Sequence, residues 1–166
     1  AHLEMMRELG VKNINALIVD KDFSHAFDQL GALAEMVADA GMETVIEFIP
    51  IFGVCNIATA VDAVRHVGRR DTRILIDTMH AGRSGIRAAD LKALDPDMIG
   101  HIQLCDAPQV PVINDYMEEA CYERLVPGTG ELPLLDYLKA IRRDVLIGIE
   151  VPQRSDARAG MGPHER

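Results

Sequence analysis

Short apolar runs rich in β-branched residues alternate with amphipathic stretches along this chain. That alternation limits its fold more than any other feature. The runs are Ile14–Val19 (INALIV), Thr44–Ile49 (TVIEFI), Arg73–Asp77 (RILID), the weaker Ile99–Leu104 (IGHIQL) and Val145–Val151 (VLIGIEV). Most are nearly continuous in apolar character, the pattern of strands covered on both faces. Between them lie helical patterns. Ser24 is placed to cap a helix through FDQLGALAEMVADA that stops at Gly41, with Leu30, Leu33, Ala34, Val37 and Ala40 as its apolar stripe. Asn56 is placed to cap IATAVDAVRHV, which stops at Gly68. AADLKAL is a shorter piece ended by Asp95-Pro96, and LPLLDYLKAIRR turns Leu134, Leu135, Leu138 and Ile141 inward. The opening HLEMMRELG reads as the end of a helix.

Strands alternating with helices predict a parallel sheet with right-handed crossovers. An open doubly wound sheet and a (β/α)8 barrel both fit this order. The phosphate-binding fingerprints of the open class, GxGxxG and GxxxxGK[ST], are absent from the sequence. Pro127-Gly128-Thr129-Gly130 resembles a glycine loop but does not follow a strand directly, so it carries little weight.

Composition narrows the function classes. The chain has 166 residues, 48% hydrophobic and 26% charged, as in globular proteins that bury a core. Its formal charge of −9 repels phosphate backbones, so no nucleic-acid partner is expected. No apolar run is long enough to span a bilayer, and the first residues do not resemble a signal peptide. Three cysteines, Cys55, Cys105 and Cys121, without CxxC spacing suit a reducing compartment. The expected location is therefore cytoplasmic, with no membrane partner.

The chemical signal is that polar residues interrupt the strands at their C-terminal parts. Glu47 sits late in its run, Asp77 ends RILID, Gln103 sits late in IGHIQL and Glu150 nearly ends the last run. In a barrel these ends converge on the active site. Three carboxylates and an amide sharing a partly apolar space call for a neutralising cation. An all-oxygen donor set without thiolate favours Mg2+, Mn2+ or Co2+.

Further candidates surround this set. His80, three residues after Asp77 at the start of the following loop, could touch substrate or move a proton. Arg124, before LVPGTG, could hold a phosphate or carboxylate. Arg83 is a weaker anion-binding candidate. His101 lies two before Gln103, on the same strand face one pleat lower, where it would line the barrel floor or touch substrate. His2, His25, His66 and His164 read as helix-face or tail residues, and Cys105 as a buried, inert thiol.

Four segments in order, LIDTMHAGRSG, IGHIQLCDAP, ERLVPGTGELPL and IGIEVP, together with EFIP, resemble the xylose isomerase-like TIM-barrel superfamily. They are most similar to its sugar phosphate isomerase/epimerase branch. The resemblance covers nearly the whole chain. It implies metal ligands of Glu, Asp, His and Glu at the ends of strands five to eight, which fall on Glu47, Asp77, Gln103 and Glu150. Glutamine replaces the usual histidine at the third position, as in 3-dehydroshikimate dehydratase-like members. His80 and Arg124 match substrate-handling residues of those relatives.

The resemblance thus implies a divalent-metal-dependent isomerase or epimerase of a sugar or sugar phosphate. Glu47, Glu150 and His80 would be its catalytic residues. A dehydratase acting on a hydroxy-keto acid and a non-catalytic sugar-binding barrel are the alternatives. The branch that cuts abasic DNA is disfavoured by the net charge. A complete barrel takes about 250 residues, so residues 1–166 are expected to form strands four to eight of a partial barrel without its N-terminal strands. That leaves a sheet with an open side, prone to homo-oligomerise.

Overall fold

The computed structural model describes residues 2–162. Five strands, β1 (Asn13–Leu17), β2 (Glu43–Glu47), β3 (Thr72–Asp77), β4 (Ile99–Leu104) and β5 (Leu146–Ile149), form one sheet in the order β1-β2-β3-β4-β5. Every pairing is parallel. The sheet is curled. Asn13 on β1 reaches across two strands to His101 on β4, with Nδ2 and Nδ1 at 3.4 Å. Adjacent strands lie about 4.8 Å apart, so a flat sheet would hold β1 and β4 about 14 Å from each other. The five strands are therefore the wall of a half-barrel, and the architecture is that of an incomplete TIM barrel.

The helices are α1 (His2–Glu8), α2 (Phe23–Asp39), α3 (Ile57–Val67), α4 (Thr78–Arg83), α5 (Ala88–Lys92), α6 (Tyr116–Tyr122), α7 (Leu134–Ala140) and α8 (Arg154–Arg158). The core lies between the convex sheet face and these helices. Ala16, Ile46, Ile74, Ile76 and Ile102 pack there against Phe27, Leu30, Ala60, Val64 and Tyr137.

Several local expectations hold. Asn56 accepts from the Thr59 N–H at 3.0 Å while Thr59 Oγ1 accepts from the Asn56 N–H at 3.2 Å, a reciprocal cap of α3. Gly68 and Gly41 terminate their helices as expected, with φ of 66° and 77°.

Others are corrected. Asp22, not Ser24, occupies the N-cap of α2; Ser24 lies inside the first turn and donates its hydroxyl to Asp22 Oδ1 at 2.8 Å. On α7, Leu135 faces solvent and Tyr137 takes the inward position, donating its hydroxyl to the Ile86 carbonyl at 2.7 Å. Leu134, Leu138 and Ile141 keep the expected inward positions, so the change is confined to Leu135 and Tyr137, whose phenol finds a buried partner. β5 is not covered on both faces: Leu146, Ile147 and Ile149 are exposed at this sheet edge, as are Leu17 and Val19 near the other. His25 and His66 are helix residues, as read, and His164 lies outside the described residues. Among the described residues no helix is long and apolar enough to cross a membrane.

Candidate metal centre and its cleft

Parallel register brings the strand ends to one level. Asp77 pairs with Gln103, Gln103 with Gly148, and Leu17 with Glu47. Side chains alternate along a strand. Glu47, Asp77 and Gln103 therefore all project from the concave face, with Glu150 one residue past the end of β5. Glu47 and Asp77 are buried, and Glu150 is half-buried.

The residue after β3 begins α4 instead of a loop. Asp77 caps this helix, Oδ1 accepting the His80 N–H at 2.9 Å. His80 is thus fixed within a buried helical turn, which corrects its expected loop position. Its Nε2 lies 3.3 Å from Glu47 Oε1, and its Nδ1 lies 2.5 Å from the Tyr116 hydroxyl on α6. One ligand-type atom from each of Glu47, Asp77 and His80 falls within 4.8 Å of the others. Asn15 on β1 donates Nδ2 to Glu47 Oε2 at 2.6 Å, which orients that carboxylate.

Arg124 reaches the same point from the long β4–α7 connection. Its NH1 contacts Asp77 Oδ2, and lies 3.1 Å from Glu150 Oε2 and 3.3 Å from Cys105 Sγ. The side chain is 4% exposed.

The charges perturb one another. Burial raises the Asp77 pKa, but the neighbouring charges of His80 and Arg124 outweigh it and hold the carboxyl below its ordinary value. Glu150 is pushed up to about 7, chiefly by burial, with Arg124 opposing and Asp77 and Glu47 adding to the rise. Burial also raises the Tyr116 phenol and the Cys105 thiol, in keeping with an unreactive cysteine.

The donor set fits a divalent cation. Gln103 Oε1 is buried and has no hydrogen-bond partner among the described residues, so it is open to a ligand. It stands in register beside Asp77. A cleft of about 560 Å3 opens over the centre, lined by Leu17, Glu47, His80, Arg124, Ile149 and Glu150 among others.

Two expected residues lie elsewhere. His101 sits one pleat below, is not among the residues lining the cleft, and has its pKa lowered by burial. Its ring faces Asn13 and closely approaches Gly148, which suits the floor position and not direct substrate contact. Arg83 is engaged internally: it donates to Glu119 Oε1 at 2.8 Å and to the Pro108 carbonyl at 2.7 Å, tying α4 to the long connection.

Sequence reasoning missed Tyr116, Asn15, Glu119 and Asp106. The buried Asp106 carboxylate accepts from four backbone N–H groups. Oδ1 takes Ala107 at 2.9 Å and Leu132 at 3.1 Å, and Oδ2 takes Gly128 at 2.9 Å and Gly130 at 3.0 Å. The Gly128 and Gly130 amides are thus spent on an internal carboxylate and the Thr129 N–H on the Val126 carbonyl, not on a phosphate. A Cβ at Gly130 would stand 2.4 Å from Asp106 Oδ1, so only glycine fits there.

The half-barrel superposes on solved structures of the same fold. The IolI protein with a bound zinc atom matches with a TM-score of 0.80 at 22% identity, over 95% of this chain and 60% of that one. A xylose isomerase-like TIM barrel/4-hydroxyphenylpyruvate dioxygenase fusion protein matches at 0.79 and 21% identity, over 96% of this chain and 28% of that one. D-psicose 3-epimerase from Clostridium cellulolyticum H10, solved with D-tagatose, matches at 0.69 and 17% identity, over 90% of this chain and 53% of that one. The chain spans less than two thirds of each of these proteins, and at such identities the likeness shows the fold alone. No curated protein sequence matches. The family described as xylose isomerase-like TIM barrel matches residues 1–164, and the chain belongs to that family.

Proposed function

We propose that Glu47, Asp77, Gln103 and Glu150 hold a divalent cation, Mn2+, Mg2+ or Co2+, and that the centre isomerises or epimerises a small sugar or sugar phosphate. The observation that carries this reading is convergence. Glu47, Asp77 and His80 cluster beside one cleft, Arg124 links Asp77 to Glu150, and Gln103, in register beside Asp77, has a buried amide oxygen with no hydrogen-bond partner among the described residues, which supports the four-ligand reading. A non-catalytic sugar-binding barrel needs no such cluster. The zinc reported in the IolI structure and the sugar bound to D-psicose 3-epimerase support the same reading.

A cation at this position would supply Lewis-acid polarisation of a substrate carbonyl, which acidifies the adjacent C–H. The remaining work belongs to the chain. Glu47, on β2, and Glu150, past β5, approach the cleft from separate strands, so each can exchange a proton with a different face of the substrate carbon. Glu150, half-buried at the edge of the cleft, is placed to take and return such a proton. Leu17, Ile149 and Val151 supply apolar lining to the cleft.

One observation favours a second reading, a dehydratase of the 3-dehydroshikimate type. Arg124 points at the centre and lines the cleft, where it can hold a carboxylate. In that reaction His80, steadied by Tyr116, moves the proton that leaves with hydroxide as water.

Both readings are tested by incubating the protein with ketoses, ketose phosphates and 3-dehydroshikimate in the presence of Mg2+, Mn2+ or Co2+ and analysing the products. A changed sugar without a new chromophore marks isomerisation, and a new conjugated chromophore marks dehydration. Calorimetry showing no Mn2+ binding would sink both.

A further inference from the structure

Arg124 is committed in an unusual way for a residue that meets substrate. Its NH1 is shared between Asp77 and Glu150, two of the four groups proposed above as cation ligands. A carboxylate oxygen engaged by a guanidinium cannot offer the same lone pair to a metal, and two cations a few ångströms apart repel. The rest of the residue is anchored independently. Nε donates to the Ala120 carbonyl at 2.7 Å, and the backbone N–H donates to the Pro152 carbonyl at 2.9 Å. Those anchors keep the guanidinium over the centre whichever group NH1 serves. NH2 takes part in none of these contacts, and the residue lines the cleft.

We propose that Arg124 is a built-in counter-cation that competes with the divalent metal for Asp77 and Glu150, and that metal binding frees its guanidinium for an oxyanion of the substrate. Cation and oxyanion then bind cooperatively, because a guanidinium already neutralised by Asp77 and Glu150 attracts an incoming anion less than one whose carboxylates a metal has taken. By linkage the effect is reciprocal: the anion must tighten the metal by the factor by which the metal tightens the anion. The inference rests on the metal reading of the same centre.

Calorimetric titration of Mn2+ into the full chain tests it, comparing the unaltered protein with Arg124→Gln and Arg124→Lys. Removing the competitor should tighten Mn2+ binding by at least about tenfold, the scale expected when a buried charge contact is deleted. Lysine keeps the charge without the fork and should fall between. Equal or weaker binding by Arg124→Gln overturns the proposal. If neither protein binds Mn2+, the metal reading itself fails and takes this one with it. If the unaltered protein binds and the variant merely equals it, only the counter-cation inference fails.

A second measurement needs no variant to fold. Mn2+ is titrated into the unaltered protein in chloride, acetate or sulfate at matched ionic strength. At least one oxyanion should tighten Mn2+ by about fivefold or more. Acetate would mark a carboxylate preference, and sulfate a preference for a phosphate-like group. No change or weaker binding with both overturns the coupling.

Discussion

Asp106 should be the most sensitive position outside the metal centre, because one carboxylate holds the connection that delivers Arg124 and Tyr116. Asp106→Ala leaves four backbone donors without an acceptor. The amides of Gly128, Gly130 and Leu132 belong to part-buried contacts that water can reach after a small relaxation, at a loss of about 1 kcal/mol each. The Ala107 amide is buried, and an unsatisfied donor there costs about 2 kcal/mol. Relaxation of the connection lowers the total, so the expected loss is about 3–5 kcal/mol, among the larger effects of a single substitution. For a chain of this size that corresponds to a fall in Tm of roughly 10 °C. Asp106→Asn presents one carbonyl oxygen where four donors converge and should recover no more than half of the loss.

Urea denaturation followed by circular dichroism gives the magnitude, and limited trypsinolysis gives the location. Arg124 is 5% exposed, so the bond after it should resist trypsin in the unaltered protein and be cut early in Asp106→Ala. A loss below about 1 kcal/mol, with Arg124 still protected, would refute the reasoning. It would mean that the backbone pairing of Asp106 with Leu125 and the Glu131 N–H to Ala107 carbonyl bond suffice to hold the connection.

Glu150→Gln should abolish turnover of whichever substrate the screen identifies while changing stability by no more than about 1 kcal/mol, since the side chain is half-exposed; retained turnover would remove its catalytic role. The same variant tests the pH dependence. A carboxyl raised from 4.5 to about 7 leaves the folded state holding a proton that the unfolded state has lost, so stability should fall as pH rises through that window. Thermal melts should show this slope in the unaltered protein and a shallower one in Glu150→Gln. Asp77, held below its ordinary value, works in the opposite sense, and its contribution should be lost only as pH falls through its folded pKa, under 3.8. Gly53→Ala would place a Cβ 1.8 Å from the Asp20 carbonyl, a backbone clash that should cost about 2–3 kcal/mol in the same urea assay, and a loss under about 0.5 kcal/mol would contradict the close approach.

What could be read from the sequence was what repeats. Each strand is marked by apolar β-branched residues, and each candidate ligand by a polar residue near its strand's C-terminal end, so Glu47, Asp77, Gln103 and Glu150 stand out as candidates from the sequence. Non-periodic features escaped. Tyr116 and Asp106 lie in or beside a long connection with no period to mark them, and their partners, His80 and the PGTG amides, are distant in the chain. Helix α4 was hidden because it starts without a spacer: the residue that ends β3 is also its cap. Leu135 and Tyr137 exchanged roles because a hydrophobic scale ranks leucine inward, whereas a tyrosine whose hydroxyl finds a carbonyl is equally at home in the core. Arg124 was placed as a substrate ligand, and nothing in ERLVPGTG signalled that its first partners would be the carboxylates themselves.

The charge balance of the centre shows why an arginine and a cation can both belong to it. Glu47, Asp77 and Glu150 bring three potential negative charges to one partly buried space, and Arg124 brings one fixed positive charge. That single guanidinium does not suffice. The charges of His80 and Arg124 outweigh burial and hold the Asp77 carboxyl below its ordinary value, while Glu150 is pushed up to about 7, chiefly by burial, with Asp77 and Glu47 adding to the rise and Arg124 opposing it. For these four groups alone, two negative charges remain when all three carboxylates ionise, and two is the charge of the cations suited to an all-oxygen donor set. The arginine therefore offsets part of the repulsion that would otherwise oppose folding of this face, and it leaves unmatched the part that a divalent ion can fill. A lysine in its place would be a poorer compromise. Its ammonium lacks the planar fork that lets one end stay on the Ala120 carbonyl while the other reaches Asp77.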